Sequence, residues 1–531
     1  MTEIEDATKF GDNAATISKV MNEVRAREAV IEGPLGQNKF FQDVATLSFF
    51  DKLVSPAYNI VNFQQVIMNS LPVLGGRYGL WRTNSAIMAA YKRVGTLETI
   101  LSGVKNTASA AAQWNRTSID TTDLLGSIRK NLGPKYEPLV DMLIKRGAIS
   151  PDIGLEIAAA LSEGRGAWGQ GLSKFDRIAR QLPGAVEAVN RMVSAVATYD
   201  LAVASGKSHQ AAMQEAFDVT LNTQGDYRRS NSPRFMNDGK LAWALQFKKF
   251  AVLQTQLMGD MFYRAMKDAS PEERAIARKQ LAIMVGVQVM YAGALGLPGL
   301  ELAKLVFTMG AALGLSDGWD DQERRVKQIL ADSIGKTPAE LLTSGVISRA
   351  IGIDVSKRMS QADLWTGFAP KSYDARGLTE YVGTAILGAP GATVFSWFDA
   401  SKELAKGDVL KTLELAVPVK TFADTATAVR KYQEGKYSPT DVALKVIGFT
   451  SARQARISEE TGNRIKDRKK AKAQQDELVK SYLNARSAAD RIKAKSKIRE
   501  FNKDVPEGGR KISINGLDRI LEEQRQIYAT Q

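Results

Sequence analysis

The sequence predicts an all-α chain, an elongated multi-helix assembly with little or no β structure. Three observations carry this. Alanine, leucine and lysine are among the commonest residues, while alternating β-branched runs are scarce. Helix-start signals with proline at the first helical position recur. Apolar and aromatic residues step by three and four in several long stretches.

Taken in order, the first region, 1–104, opens on the acidic "MTEIEDATKFGDN", which has no apolar run and does not read as a secretory signal. It also contains "LPVLGGRYG". A middle helical region, 105–235, begins with the hydroxyl-rich stretch Lys105 to Asp123, read as a loop, and ends in a turn-rich connector, Asn222 to Gly239. Two phosphate-loop lookalikes fall inside it. "GRGAWG" (164–169) follows a helical pattern, whereas a dinucleotide loop must follow a strand. "GKS" (206–208) lacks the upstream glycine of a P-loop and reads as a helix-ending glycine before a new helix.

Region 236–330 carries an aromatic stripe: Trp243, Phe247, Phe250, Gln254, Leu257 and Met261 share one helical face, with Lys248 and Lys249 at its edge. A nucleic-acid stacking platform would need exposed aromatics among the basic residues; this face reads as core. "SPEERAIARKQ" predicts a helix with Ser270 as N-cap, Pro271 first and Glu273 completing a capping box. "SDGWDDQERR" (316–325) reads as a polar turn. In region 331–450, Thr337-Pro338 with Glu340 and Ser438-Pro439 with Asp441 give two further starts, the second weaker because aspartate is shorter. The tail, 451–531, holds 20 Lys+Arg against 12 Asp+Glu, more than half of the chain's net charge of +14. Within it Leu478, Tyr482, Ala485, Ala489 and Ile492 form one narrow helical stripe. "KDVPEGGRK" (503–511) is a turn.

The residue inventory restricts chemistry. With no cysteine and one histidine, His209, the chain has no disulfide framework or thiolate metal site, and histidine-based metal clusters and catalytic triads are disfavoured. The expectation is a protein that is not an enzyme, with no catalytic residues, metal or cofactor. Its basic balance points to nucleic acid or anionic lipid. Arg464, Lys466, Arg468, Lys469, Lys470 and Lys472 are the nucleic-acid contact candidates, on a segment polar nearly all round that also fits a solvated helix. Gln280–Leu300 and Tyr381–Phe398 carry no charge and are rich in glycine and alanine. They fit buried helices or membrane contact, and for the second reading the candidates are Val287, Val289, Leu295, Ile386, Leu387, Val394 and Trp397.

"GDYRRSNSPRFM" followed by "LQFKKF" resembles the C-terminal region of very large internal virion (ejection) proteins of tailed phages and prophages, the polyvalent proteins labelled PLxRFG. The residues carrying the likeness are Tyr227, Asn231, Pro233, Arg234, Phe247 and Lys248; Pro72, Leu74, Arg77, Tyr78 and Gly79 form a counterpart of the label's own motif, with extra spacing and tyrosine for phenylalanine. "VEAVNRMVSAVATYDLAVASGKSHQAAMQEA" and "ALKVIGFTSARQA" add to it, in the expected order from about residue 38 onward. The resemblance implies a protein packaged inside the capsid that leaves with the genome and forms an oligomeric DNA conduit across the host envelope. Its implied partners are double-stranded phage DNA bound without sequence preference, other phage internal or tail proteins, the host inner membrane and further copies of itself. Its location would be the virion, then the host periplasm and inner membrane. The alternative is a basic helical nucleic-acid-binding protein without a membrane role.

Overall fold

In the computed structural model the described residues are 18–26, 62–95, 121–149, 173–225, 249–268, 270–297, 300–312, 319–354, 380, 381, 383, 394–416, 420–485, 487–505 and 511–529. Among them 87% are helical and there is no sheet, only an isolated bridge between Ile353 and Ser451. The fold is all-α.

The chain divides into two compact units, Met1–Ala452 and Arg453–Gln531. The first is built on two helical pairs. A π-turn, Val66–Ser70, runs into α1 (Leu71–Tyr78), and Gly79, at φ 90°, turns the chain into α2 (Leu80–Val94). Next come α3 (Thr121–Leu132) and α4 (Glu137–Lys145), then the long α5 (Ser173–Ala204) paired with α6 (His209–Gln224). The α5–α6 junction matches the reading of "GKS": Gly206 sits at φ 91° and Ser208 caps α6 by accepting from the Ala211 amide. Helices α7 (Lys249–Lys267) and α8 (Pro271–Ala292) form a hairpin, and α8 also lies along α1. Shorter helices follow: α9 (Leu300–Ala312), α10 (Trp319–Ile334), α11 (Lys336–Ser344), α12 (Val346–Ile351), α13 (Val409–Ala416), α14 (Lys420–Gln433) and α15 (Pro439–Ile447). One apolar core joins Ile87, Ile128, Leu143, Val193, Val287 and Phe449. The sequence boundaries at 104, 235 and 330 therefore do not separate cores.

The second unit has its own small core. Tyr482, at the end of α16 (Ala452–Leu483), packs with Ala494 and Ile498 of α17 (Ala488–Asp504) and Leu517 of α18 (Ile514–Ala529). Asn502 pins the α17–α18 connection by donating to the Ile512 carbonyl (2.9 Å) and accepting from its amide (2.8 Å).

Several local expectations change. The stripe from Leu478 to Ile492 is not one helix: α16 stops at Leu483, and α17 starts afresh with Ser487 capping the Asp490 amide. Ile492 is consequently 70% exposed, and Ala494 and Ile498 take the core positions. The 316–325 stretch is not a turn from Trp319 onward, because α10 begins there; Asp321 falls in its first turn, where a carboxylate suits the helix dipole. Helix α3 begins at Thr121, inside the expected loop, and α6 persists to Gln224. Thr337 is not an N-cap: α11 starts at Lys336 behind Gly335, at φ 88°. Ser270 does cap α8, but its own amide goes to Asp268 (3.1 Å) and not to Glu273. Ser438 and Asp441 make the full reciprocal box despite the shorter side chain.

Candidate functional site

The PLxRFG-like residues converge on α1, and their surroundings explain the composition. Leu74 is 1% exposed and Pro72 is buried. The glycines between them and Arg77 let two helices meet at backbone distance. A Cβ on Gly76 would stand 2.4 Å from Gln280 Cγ, 2.9 Å from the Gln280 nitrogen and 3.0 Å from the Ile276 carbonyl oxygen, all on α8. Gln280 then donates to the Val73 carbonyl (2.7 Å), fixing the register of α1 on α8.

Beyond the glycines a ladder of charge ties α1 to α6 and α7–α8. Glu215 on α6 accepts from the Tyr78 hydroxyl (2.7 Å), Lys207 Nζ (2.7 Å) and Arg77 Nη1 (3.3 Å). Arg77 also faces Glu273 (3.5 Å), which faces Arg264 (3.9 Å). Arg264 in turn donates to Gln280 Oε1 (3.1 Å). Burial alone would raise the Glu215 carboxyl; the hydrogen bonds from Lys207 and Tyr78 and the nearby cations outweigh it and hold the group below the usual carboxylate range. Burial and the Glu215 carboxylate push the Tyr78 phenol well up. These groups satisfy one another. The ladder positions α1 against α6 and against the α7–α8 hairpin.

A second ionic feature lies deeper. Arg191 on α5 is 4% exposed, bonded to Glu187 (3.0 Å), to the Ala148 carbonyl (2.8 Å) and to the Gly225 carbonyl (2.6 Å). Burial pushes the Glu187 carboxyl up, opposed by Arg191. The guanidinium closes two chain ends, after α4 and after α6. Sequence reading missed it because a charged i,i+4 pair ordinarily marks a solvated helix face.

The basic candidates lie on α16. Arg464, Arg468 and Lys472 are exposed, four residues apart, and form no ion pair among the described residues. Lys466, Lys469 and Lys470 lie on the same helix, their side chains outside the described set. The second unit's core starts only at Leu478, so the preceding four-fifths of α16 has no apolar cluster among the described residues.

The membrane candidates divide. No helix among the described residues is long and apolar enough to cross a membrane. Gly293 (φ 75°, ψ 174°) ends α8, so Gln280–Ala292 covers about 20 Å against about 30 Å of hydrocarbon. Val287 is 8% exposed and belongs to the first unit's core. Val289, Leu295, Val394 and Trp397 are half-buried; Ile386 and Leu387 lie outside the described residues. Outward on α8 are instead Val285 and Met290. In the aromatic stripe Gln254 and Met261 are buried, consistent with a core face, while Trp243, Phe247 and Lys248 lie outside the described residues, as do Tyr227, Asn231, Pro233 and Arg234. Three neighbours, Phe262, Tyr263 and Met266, are more than 60% exposed on the opposite side of α7. Among the described residues no cluster of His, Asp or Glu could hold a metal ion. Comparison with family models, curated proteins and solved structures finds no match for this chain.

Proposed function

We propose that the chain is an internal virion protein of a tailed phage that travels with double-stranded DNA, gripping its backbone through α16, and assembles with copies of itself into a conduit at the host inner membrane. The observation that carries the reading is the exposed ridge of Arg464, Arg468 and Lys472 on a helix segment with no apolar cluster among the described residues. Phosphate contacts of this kind are sequence-indifferent and release counterions. In the full-length chain, Arg464→Glu/Arg468→Glu/Lys472→Glu should weaken DNA binding and reduce the slope of log affinity against log salt by about 2.7, near 0.9 per lost contact. An unchanged slope would place the contact elsewhere.

The membrane part of the proposal rests on the exposed apolar residues of α7 and α8: Phe262, Met266, Val285 and Met290. Vesicles containing anionic lipid should float the protein, and Val285→Asp/Met290→Asp should reduce flotation and dye release. The ending of α8 at Ala292 favours the second reading, a DNA-binding virion component with no membrane role. Absence of flotation combined with salt-dependent DNA binding would select it.

A further inference from the structure

The centre of the first unit contains a polar layer. The turn Val66–Ser70 hydrogen-bonds with i→i+5 geometry, and the wider turn buries the consecutive side chains Asn69 and Ser70. Ser70 Oγ lies 2.9 Å from Ser194 Oγ of α5, 2.9 Å from Thr223 Oγ1 of α6, and accepts from Gln224 Nε2 at 2.9 Å. The protons can be assigned. Thr223 gives its hydroxyl hydrogen to the Val219 carbonyl (2.8 Å), so Ser70 donates to Thr223 and Ser194 donates to Ser70. Asn69 donates to the Thr223 carbonyl (2.8 Å), and Asn190 on α5 donates to the Asn62 carbonyl (2.8 Å).

That arrangement is short of donors. Asn69 Oδ1, Asn190 Oδ1 and Gln224 Oε1 are buried with no hydrogen-bond partner. Turning the amides over does not help Asn69 and Asn190, whose oxygens would then face carbonyls. A partly satisfied buried network holds register but stabilises less than apolar packing of the same shape. On the other side, α1 is locked onto α8 through Gly76 and Gln280. A weak seam therefore adjoins a firm lock within a few residues of chain.

We propose that the Val66–Ser70 turn is a release latch: segment 62–70 leaves α5 and α6 by local opening, which draws Val66 and Met68 out of the apolar core, while α1 stays on α8. The latch is independent of whether the protein meets DNA or lipid. Native-state hydrogen exchange on the full chain tests it. Amides of 62–70 should exchange about tenfold or more faster than those of α5 between 188 and 199, through a sub-global opening. Ser70→Ala, too small to disturb packing, strands three partners and should speed exchange there while leaving α5 unchanged. Equal protection of 62–70 and α5 in the parent chain, or no acceleration by Ser70→Ala, overturns the proposal.

Discussion

Two glycines in contacting helices make opposite demands. Gly76 faces backbone atoms of α8 that cannot swing aside, so Gly76→Ala should cost about 1–3 kcal/mol as the helices are forced apart. At Gly286, on α8 itself, an added Cβ would meet nothing within 4 Å, and Gly286→Ala should stabilise by about 0.5–1 kcal/mol through the unfolded state. Urea unfolding of both variants checks the pair; a loss at both positions would contradict the geometry. Glu215 supplies a pH-dependent counterpart. Its carboxyl is held below the ordinary range in the folded chain, so its contribution is complete above the unfolded value, about 4.3, and disappears as pH falls through the folded value. Glu215→Gln should therefore be less stable than the parent by about 1 kcal/mol at pH 7, and the difference should shrink as pH falls below the ordinary carboxylate range.

At the level of helices, the sequence showed most where the determinant is local. Ser270-Pro271 and Ser438-Pro439 mark true starts, because a cap is written within four residues. Periodicity misled where it ran across a break: Leu478 to Ile492 keep helical spacing, yet Ser487 and Asp490 restart the helix between them. Ser487→Ala should destabilise the second unit by about 0.5–2 kcal/mol, and Asn502→Ala by about 1–3 kcal/mol, since it leaves the Ile512 amide and carbonyl unpartnered. Circular dichroism melts of the full chain would read both. The charge ladder and the polar layer were not legible. Their members lie more than a hundred residues apart, as Tyr78 and Glu215 or Ser70 and Ser194 do, and each looks locally like an ordinary helix residue.

On the scale of the whole chain, the all-α class followed from composition, whereas the distribution of cores did not. Helices drawn from four of the five sequence regions share one apolar cluster, and the basic tail supports another. Two cores that share no residue should melt as two transitions in calorimetry. Tyr482→Ala, removing the largest fully buried side chain among the described residues, should lower one of them by about 3–5 kcal/mol and leave the other in place. A single transition that moves as a whole would mean the cores unfold together.

The contact between Gly76 and α8 also bears on how the sequence can drift over generations. Exposed Trp81, five residues further on, can change without touching a neighbouring helix, while position 76 tolerates no side chain unless α8 moves with it. Substitution at 276 or 280 does not make room, because the Ile276 carbonyl oxygen and the Gln280 nitrogen stay in place whatever side chains those positions carry, and a substitution library across 76, 276 and 280 should recover few survivors outside glycine. The information in this motif is then stored mainly in the residue that has no side chain.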